Sequence, residues 1–368
     1  MLTSRTPLVS VIIDTYYRPD MLRHAVSCLC QQTYRNLEII LVNNGATPET
    51  VRYLAEVEKI ESRVKLVHFV SNQFSWDDPL MMIRVCLNAG LNVATGDLVF
   101  YQSDDDWVAT DYIERMVALF LGNPACTTAK GRCVCELPGG TQIPSPPATR
   151  GPYIAGIDLA LDRINGNVKF QQQDPGFSFL MVTDELRKSG GFHPDIENQW
   201  YFSIVPFGVT GYDPDALMYW RRHELQLNKI GSERGIFWGV YGEQFFVDLE
   251  NAVMSRWRAQ FGDEKAAALG RFLLDIVATD YIKVVVHRLF TFRLVDAFRF
   301  VRNFFNSPAS RRITWANLSS GIRFGMLLTP LGRMYWRCAR LLKGIIFNPI
   351  ETSRKVLKRI RATHQREL

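Results

Sequence analysis

Leu98 to Trp107 read LVFYQSDDDW, an apolar run that passes through a short polar step into three consecutive carboxylates. Such a run predicts a buried strand whose carboxyl end delivers Asp104, Asp105 and Asp106 to the edge where open α/β sheets bind ligands. Neighbouring carboxylates repel one another, so a cation or a web of hydrogen-bond donors must hold them together. A plainer reading is also open. Asp106 stands just ahead of the apolar pattern from Tyr112 to Phe120, where an acidic turn caps a helix.

The flanking segments extend the strand into a sheet. VSVIIDTYYR from Val9 is a strand ending in a polar turn, and MLRHAVSCLCQQ from Met21 repeats apolar residues at helical spacing. LEIILVNNGATPET from Leu37 is a second buried strand, closed by Asn43, Asn44 and Gly45 and followed by a helix that starts at proline. KLVHFV from Lys65 is a third strand, and MMIRVCLNAGLNVATG from Met81 supplies another helix. Strands alternating with helices predict a mostly parallel sheet covered on both faces.

VSVIIDTYYRPDMLRHAVSCLCQQTYRNLEIILVNNGAT together with LNAGLNVATGDLVFYQSDDDW resembles the nucleotide-sugar-binding half of family-2 glycosyltransferases, which have the GT-A (Rossmann-like) fold. The matching positions are Thr15, Tyr16, Arg18, Gln32, Thr33, Tyr34 and Gly45, within roughly residues 8 to 107. A weaker match runs through PGFSFLMVTDELRKSGGF, ending at Phe192, and ALMYWRRH, ending at His223. The resemblance implies a domain over residues 1–245, with a nucleotide-sugar half (1–107) and an acceptor half (108–245). It also implies a donor pocket of Asp14, Tyr16, Arg18, Asn43, Asn44, Arg84, Gln102 and Ser103, and a divalent cation, Mn²⁺ or Mg²⁺, on Asp104 or Asp105 with His223 as a further contact. Arg221 joins Arg84 as a candidate for the donor phosphates, because a guanidinium forks onto phosphate oxygens.

Departures from the family pattern bear on activity. Asn43, and often Asn44, stand where the family has Asp, and an amide donates and accepts hydrogen bonds without bringing charge. Gln102 replaces the leading Asp of the acidic stretch. The family's Glu-Asp near the acceptor reads Glu197-Asn198 here, and an asparagine takes no proton at neutral pH. The general base is then Glu197 or Asp195, unless the alignment is shifted here or transfer activity has been lost.

Composition sets the outer limits. The chain has 368 residues, 47% hydrophobic and 22% charged, as in a folded protein and not a disordered one. Of seven cysteines, Cys28 and Cys30 fall in a predicted helix and Cys133 and Cys135 alternate along a predicted strand, neither pair suited to zinc or a disulfide. A reducing cytoplasm is the simplest setting, and the amino terminus has no basic, cleavable apolar segment.

Charge is unevenly spread. Residues 254–368 hold 22 Lys and Arg against 7 Asp and Glu, whereas the rest of the chain holds 21 against 30. No run of about eighteen apolar residues is available to span a bilayer. Residues 246–368 are therefore expected to be a basic α-helical region. Arg333, Arg337 and Arg340 share one helical face, and Met334, Cys338, Leu341 and Ile345 another, which suits an anionic membrane surface. A helical bundle with a basic solvated side explains the same pattern. No nucleic-acid motif accompanies the charge.

LPGGTQIPSPPATRGP, Leu137 to Pro152, reads as a Pro- and Gly-rich loop too long for a simple turn. The resemblance implies an inverting glycosyltransferase of hexosyl or deoxyhexosyl groups. Its expected partners are a nucleoside-diphosphate sugar and a glycan or lipid-linked acceptor. It would be cytoplasmic, peripheral on the inner face of the cell membrane, and would serve bacterial surface polysaccharide synthesis. The alternative is a noncatalytic GT-A relative that binds nucleotide-sugar or glycan as an assembly partner.

Overall fold

The computed structural model describes residues 6–76, 79–146, 150–165, 179–192, 199–227, 229–230, 253–290, 292, 294–306, 313 and 317. The opening half alternates as expected: β1 (Val9–Thr15), α1 (Pro19–Cys30), β2 (Leu37–Asn44), α2 (Pro48–Ile60), β3 (Val64–Phe69), α3 (Pro79–Val93) and β4 (Leu98–Tyr101). Val9, Val11, Ile12 and Ile13 of β1 are all inaccessible to solvent, the continuous apolar signature of a strand with both faces covered. Pro19 and Pro48 open α1 and α2, where the missing N–H costs no helical hydrogen bond.

The following elements are β5 (Trp107–Val108), α4 (Tyr112–Gly122), β6 (Cys126–Glu136), β7 (Gln142–Pro144), β8 (Tyr153–Ala155), α5 (Gly156–Ile164), β9 (Phe179–Val182), α6 (Thr183–Lys188), α7 (Gln199–Ile204) and β10 (Val209–Arg221). Among the described residues the sheet runs β3-β2-β1-β4-β9-β6-β10-β5, with β7 on β6 and β8 on β10. β3, β2, β1, β4, β6 and β10 point one way; β9, inserted antiparallel between β4 and β6, points the other, as do β5, β7 and β8. The mostly parallel sheet matches the sequence reading.

The expected loop from Leu137 to Pro152 is only partly a loop. Gln142–Pro144 folds back antiparallel on β6, and the turn carries positive φ at Gly139 (91°) and Gly140 (83°), a conformation glycine adopts without a Cβ clash. Cys28 and Cys30 lie on α1 and Cys133 and Cys135 on β6, and the described cysteines are free thiols.

The chain divides into two compact units, Met1–Ile230 with Tyr241–Gly270, and Gly231–Val240 with Arg271–Leu368. The expected division at residue 245 falls outside the described residues. In the first unit α8 (Ser255–Phe261) buries Trp257 completely, its Nε1 donating to the Phe202 carbonyl at 2.9 Å. α9 (Asp263–Phe290) and α10 (Leu294–Asn306) follow, so the described part of the C-terminal region is helical. No helix among the described residues is long and apolar enough to cross a membrane.

Candidate active site

Parallel pairing aligns Val9 with Leu98 and Ile12 with Tyr101, and the Gln102 N–H continues the ladder to the Ile12 carbonyl at 3.0 Å. The acidic triplet therefore leaves the sheet beside the last residues of β1. Here the Thr15 hydroxyl donates to Asp104 Oδ2 at 3.1 Å, and the Tyr101 hydroxyl donates to Asp14 Oδ1 at 3.0 Å. Arg18, in the turn before α1, forks across the triplet, donating from one guanidinium nitrogen to Asp104 and from the other to Asp105.

The far wall comes from β10. Its antiparallel pairing with β5 sets Tyr219 opposite Trp107, and the two rings stack 3.6 Å apart and nearly parallel. Two residues on, the Arg221 N–H donates to Asp106 Oδ1 at 3.0 Å. His223 Nε2 reaches Asp105 Oδ2 at 2.9 Å, while its Nδ1 accepts from the Leu225 N–H at 3.1 Å. With Nδ1 an acceptor, the imidazole proton sits on Nε2 and points at the carboxylate. The Tyr17 hydroxyl donates to the Leu225 carbonyl at 3.1 Å, tying the β1 turn to the end of β10.

Burial separates the three acids. Asp104, Asp105 and Asp106 are only 2%, 7% and 4% exposed. Loss of hydration pushes Asp104 up to about 7, with Arg18 opposing and Asp105 and Asp14 adding to the rise. Burial acts on Asp105 too, but the His223 hydrogen bond and the Arg18 charge outweigh it and hold this carboxyl below its ordinary value. Asp106 is driven well above the carboxylate range by burial and then by Asp105, and burial also raises Asp14. The guanidinium loses hydration as well, yet Asp104 and Asp105 raise its affinity for the proton. Four carboxyl groups thus lie around one guanidinium, and burial holds Asp14, Asp104 and Asp106 toward the protonated form.

Asp104, Asp105 and His223 are the residues that would hold a divalent cation here. Carboxylate oxygens and an imidazole are suitable ligands, and a cation would displace the protons that burial favours on these acids. Arg18 currently takes one oxygen of each acid, and among the described residues no three His, Cys, Asp or Glu side chains converge on one ion position. The donor types fit a cation, and in this structure Arg18 holds the carboxylate oxygens.

The other expected residues have differing engagements. Asn43 and Asn44, at the end of β2, are 5% and 2% exposed and spend their amides on the chain itself. Asn43 bonds His68 Nδ1 at 3.0 Å and accepts from the Ala46 N–H at 2.7 Å; Asn44 donates to Asn72 Oδ1 at 3.0 Å and accepts from the Gln73 N–H at 2.8 Å. Gly45 between these loops has φ 58°, and a Cβ there would lie 2.4 Å from the Asn72 nitrogen, so both conformation and space require glycine. Gln102 is fully buried; its Nε2 donates to the Asp106 carbonyl at 3.2 Å, but its Oε1 has no hydrogen-bond partner. Ser103 Oγ lies 3.3 Å from the Tyr101 hydroxyl, Tyr16 is 37% exposed at the rim, and Arg84 is on α3. Glu197, Asp195 and Asn198 lie outside the described residues.

Sequence reasoning missed Tyr101, Asp106 as an anchor for β10, and Glu136, whose Oε2 receives both Trp107 Nε1 and Arg221 Nε at 3.3 Å. Asp106 was visible as the third carboxylate. Nothing local marked Glu136, because its contacts cross strands.

Residues 10–143 match the family model Glycosyl transferase family 2. An "Uncharacterized glycosyltransferase" of Haemophilus influenzae is 34% identical over 121 residues, 33% of this chain and 35% of that protein. The "GalNAc(5)-diNAcBac-PP-undecaprenol beta-1,3-glucosyltransferase" of Campylobacter jejuni is 26% identical over 133 residues, 36% of this chain and 40% of the relative. Among solved structures, S. aureus TarS 1-349 in complex with UDP aligns with a TM-score of 0.49 at 12% identity, covering 88% of this chain and 81% of that one. The chain spans half or less of the length of the curated relatives it matches.

Proposed function

We propose that this chain is an inverting glycosyltransferase that moves a hexosyl or deoxyhexosyl group from a nucleoside-diphosphate sugar to a hydroxyl of a glycan or lipid-linked acceptor. The observation that carries the reading is the buried Asp104–Asp105 pair at the carboxyl ends of β1 and β4, forked by Arg18 within the segment that matches family 2 and met by His223 from beyond it. Asp104, Asp105 and His223 would hold a divalent cation, which supplies positive charge to the leaving diphosphate. Arg18 neutralises the acids until the cation enters, and is then available for the donor phosphates together with Arg84 and Arg221. Asp14, Tyr16, Asn43, Asn44, Gln102 and Ser103 form the base and ribose side of the pocket, the two asparagines by fixing its loops. Glu197 or Asp195 takes the proton from the acceptor hydroxyl as it attacks the anomeric carbon in one displacement.

The Campylobacter relative is named for an undecaprenol-linked acceptor, which supports a lipid-linked substrate and a role in bacterial surface polysaccharide synthesis. We place the chain on the cytoplasmic face of the membrane, with residues 1–245 catalytic and the basic 246–368 region facing anionic lipid. The test is calorimetry with UDP-, GDP- and dTDP-sugars, with and without Mn²⁺, followed by product analysis. Failure to bind any of them rejects the proposal.

A second reading, a noncatalytic nucleotide-sugar or glycan binder, is favoured by the Asn43 and Asn44 amides being used internally and by Gln102 in place of an acid. Donor binding without turnover on any acceptor would select it.

A further inference from the structure

α10 has two unlike sides. One side packs within its own unit: Ala297 is buried, the Phe300 ring sits 5.1 Å from Tyr281, and Arg288 lies 4.4 Å over Phe300 while donating to the Asp296 carbonyl at 3.0 Å. The other side is uncovered. Leu294, Val295 and Phe298 are 60%, 71% and 75% exposed, and Arg299 and Arg302 follow at helical spacing on the same face. Just before the helix, Phe292 is 89% exposed and has φ 59°, a left-handed conformation unfavourable for a large side chain. Exposed aliphatic and aromatic groups set beside arginines on one face match the boundary between lipid headgroups and acyl chains.

We propose that Phe292, Leu294, Val295 and Phe298 insert into an anionic bilayer surface, with Arg299 and Arg302 at headgroup level. The inference rests on the proposal that the basic C-terminal region works at a membrane, and assigns the contact to the α9–α10 turn and α10. Charge decides the occupant. The segment from residue 254 onward carries 22 basic against 7 acidic residues, so anionic lipid complements it, whereas a second copy would bring Arg299 and Arg302 against like charge.

The full-length protein is sedimented with phosphatidylcholine vesicles, with and without phosphatidylglycerol, beside a Val295→Ser/Phe298→Ser variant and an Arg299→Gln/Arg302→Gln variant. Circular dichroism checks folding, donor calorimetry checks the first unit, and sedimentation equilibrium gives the mass. Wild type is expected to collect on anionic vesicles. The serine pair should reduce partition by about tenfold at low and at high salt, and the glutamine pair mainly at low salt. Nucleoside-diphosphate binding should be unchanged in both. If the serine pair misfolds, Phe292→Asn, which suits the left-handed backbone, reports the same loss. Serine variants that bind anionic vesicles like wild type would overturn the assignment while leaving membrane attachment elsewhere in the region. Wild type that ignores anionic vesicles would overturn both. A wild-type dimer that the serine pair dissociates would make this face a self-association surface and overturn the proposal.

Discussion

His223 Nε2 lies 2.9 Å from Asp105 Oδ2, joining residues 118 positions apart. β10 makes the link, because its antiparallel pairing with β5 stops just short of His223 and leaves the chain turning beside the acids. Burial raises Asp104, whereas the His223 hydrogen bond and the Arg18 charge hold Asp105 below its ordinary value.

Nucleoside-diphosphate binding should require Mg²⁺ or Mn²⁺, and Asp104→Ala should abolish that dependence. His223→Ala should weaken nucleotide binding in Mn²⁺ by roughly 10- to 100-fold, since it removes both a donor to Asp105 and a ligand. Calorimetry with UDP, GDP and dTDP checks this. Equal affinities in chelator and in Mn²⁺ for the wild type would rule out the cation role.

Arg18→Gln should raise Mn²⁺ affinity in the absence of nucleotide, read by paramagnetic resonance of the free ion. The same change leaves buried carboxylates uncompensated and should cost about 3 kcal/mol of stability in chelator, because a broken buried pair strands its partner. Added Mn²⁺ should recover part of that loss. Denaturant titrations in which Mn²⁺ makes no difference to the variant would contradict the exchange of guanidinium for metal.

Glu197→Gln should lower turnover by roughly 10² or more with donor affinity retained, if Glu197 is the base. Full activity in Glu197→Gln with loss in Asp195→Asn moves the role to Asp195. Steady-state kinetics on both variants decides between them, and two active variants would exclude both.

Lys130 on β6 is 9% exposed, lies 5.3 Å over the Phe179 ring and is pushed down from 10.5 to about 7, first by burial. Between those limits the unfolded chain holds a proton that the folded chain lacks. Stability should therefore rise with pH across this window, by up to about 1.4 kcal/mol per pH unit, and level off below about pH 7, where both states hold the proton. Lys130→Met should remove that increment and be the more stable form near pH 7. A pH series of denaturant midpoints with parallel lines for the two proteins would reject this.

Local pattern was enough for the architecture of the opening half. The apolar runs at Val9, Leu37 and Leu98 could only be satisfied as buried strands, and Pro19 and Pro48 marked helix starts because φ is restricted at proline. Asp104 and Asp105 stood out as a site because two adjacent charges cannot share a buried strand end without compensation. Which compensation acts was not legible. Arg18 lies 86 and 87 positions away from the acids it forks, and only the parallel pairing of β1 with β4 makes them neighbours. The expected strand-free loop after Leu137 failed for a related reason, since β7 is held by ladder bonds to β6 rather than by its own composition.

What the sequence determined by itself is thus whatever depends on period, turn chemistry and local charge: the alternating α/β order, the acidic strand end, and the basic bias after residue 254. Only the tertiary structure decided that Asn43 and Asn44 spend their amides on neighbouring loops, that Asp104 and Asp105 differ in proton affinity, and that His223 and Arg221 close the site. These properties depend on desolvation and on partners brought together by strand pairing, quantities that have no value until the chain is folded.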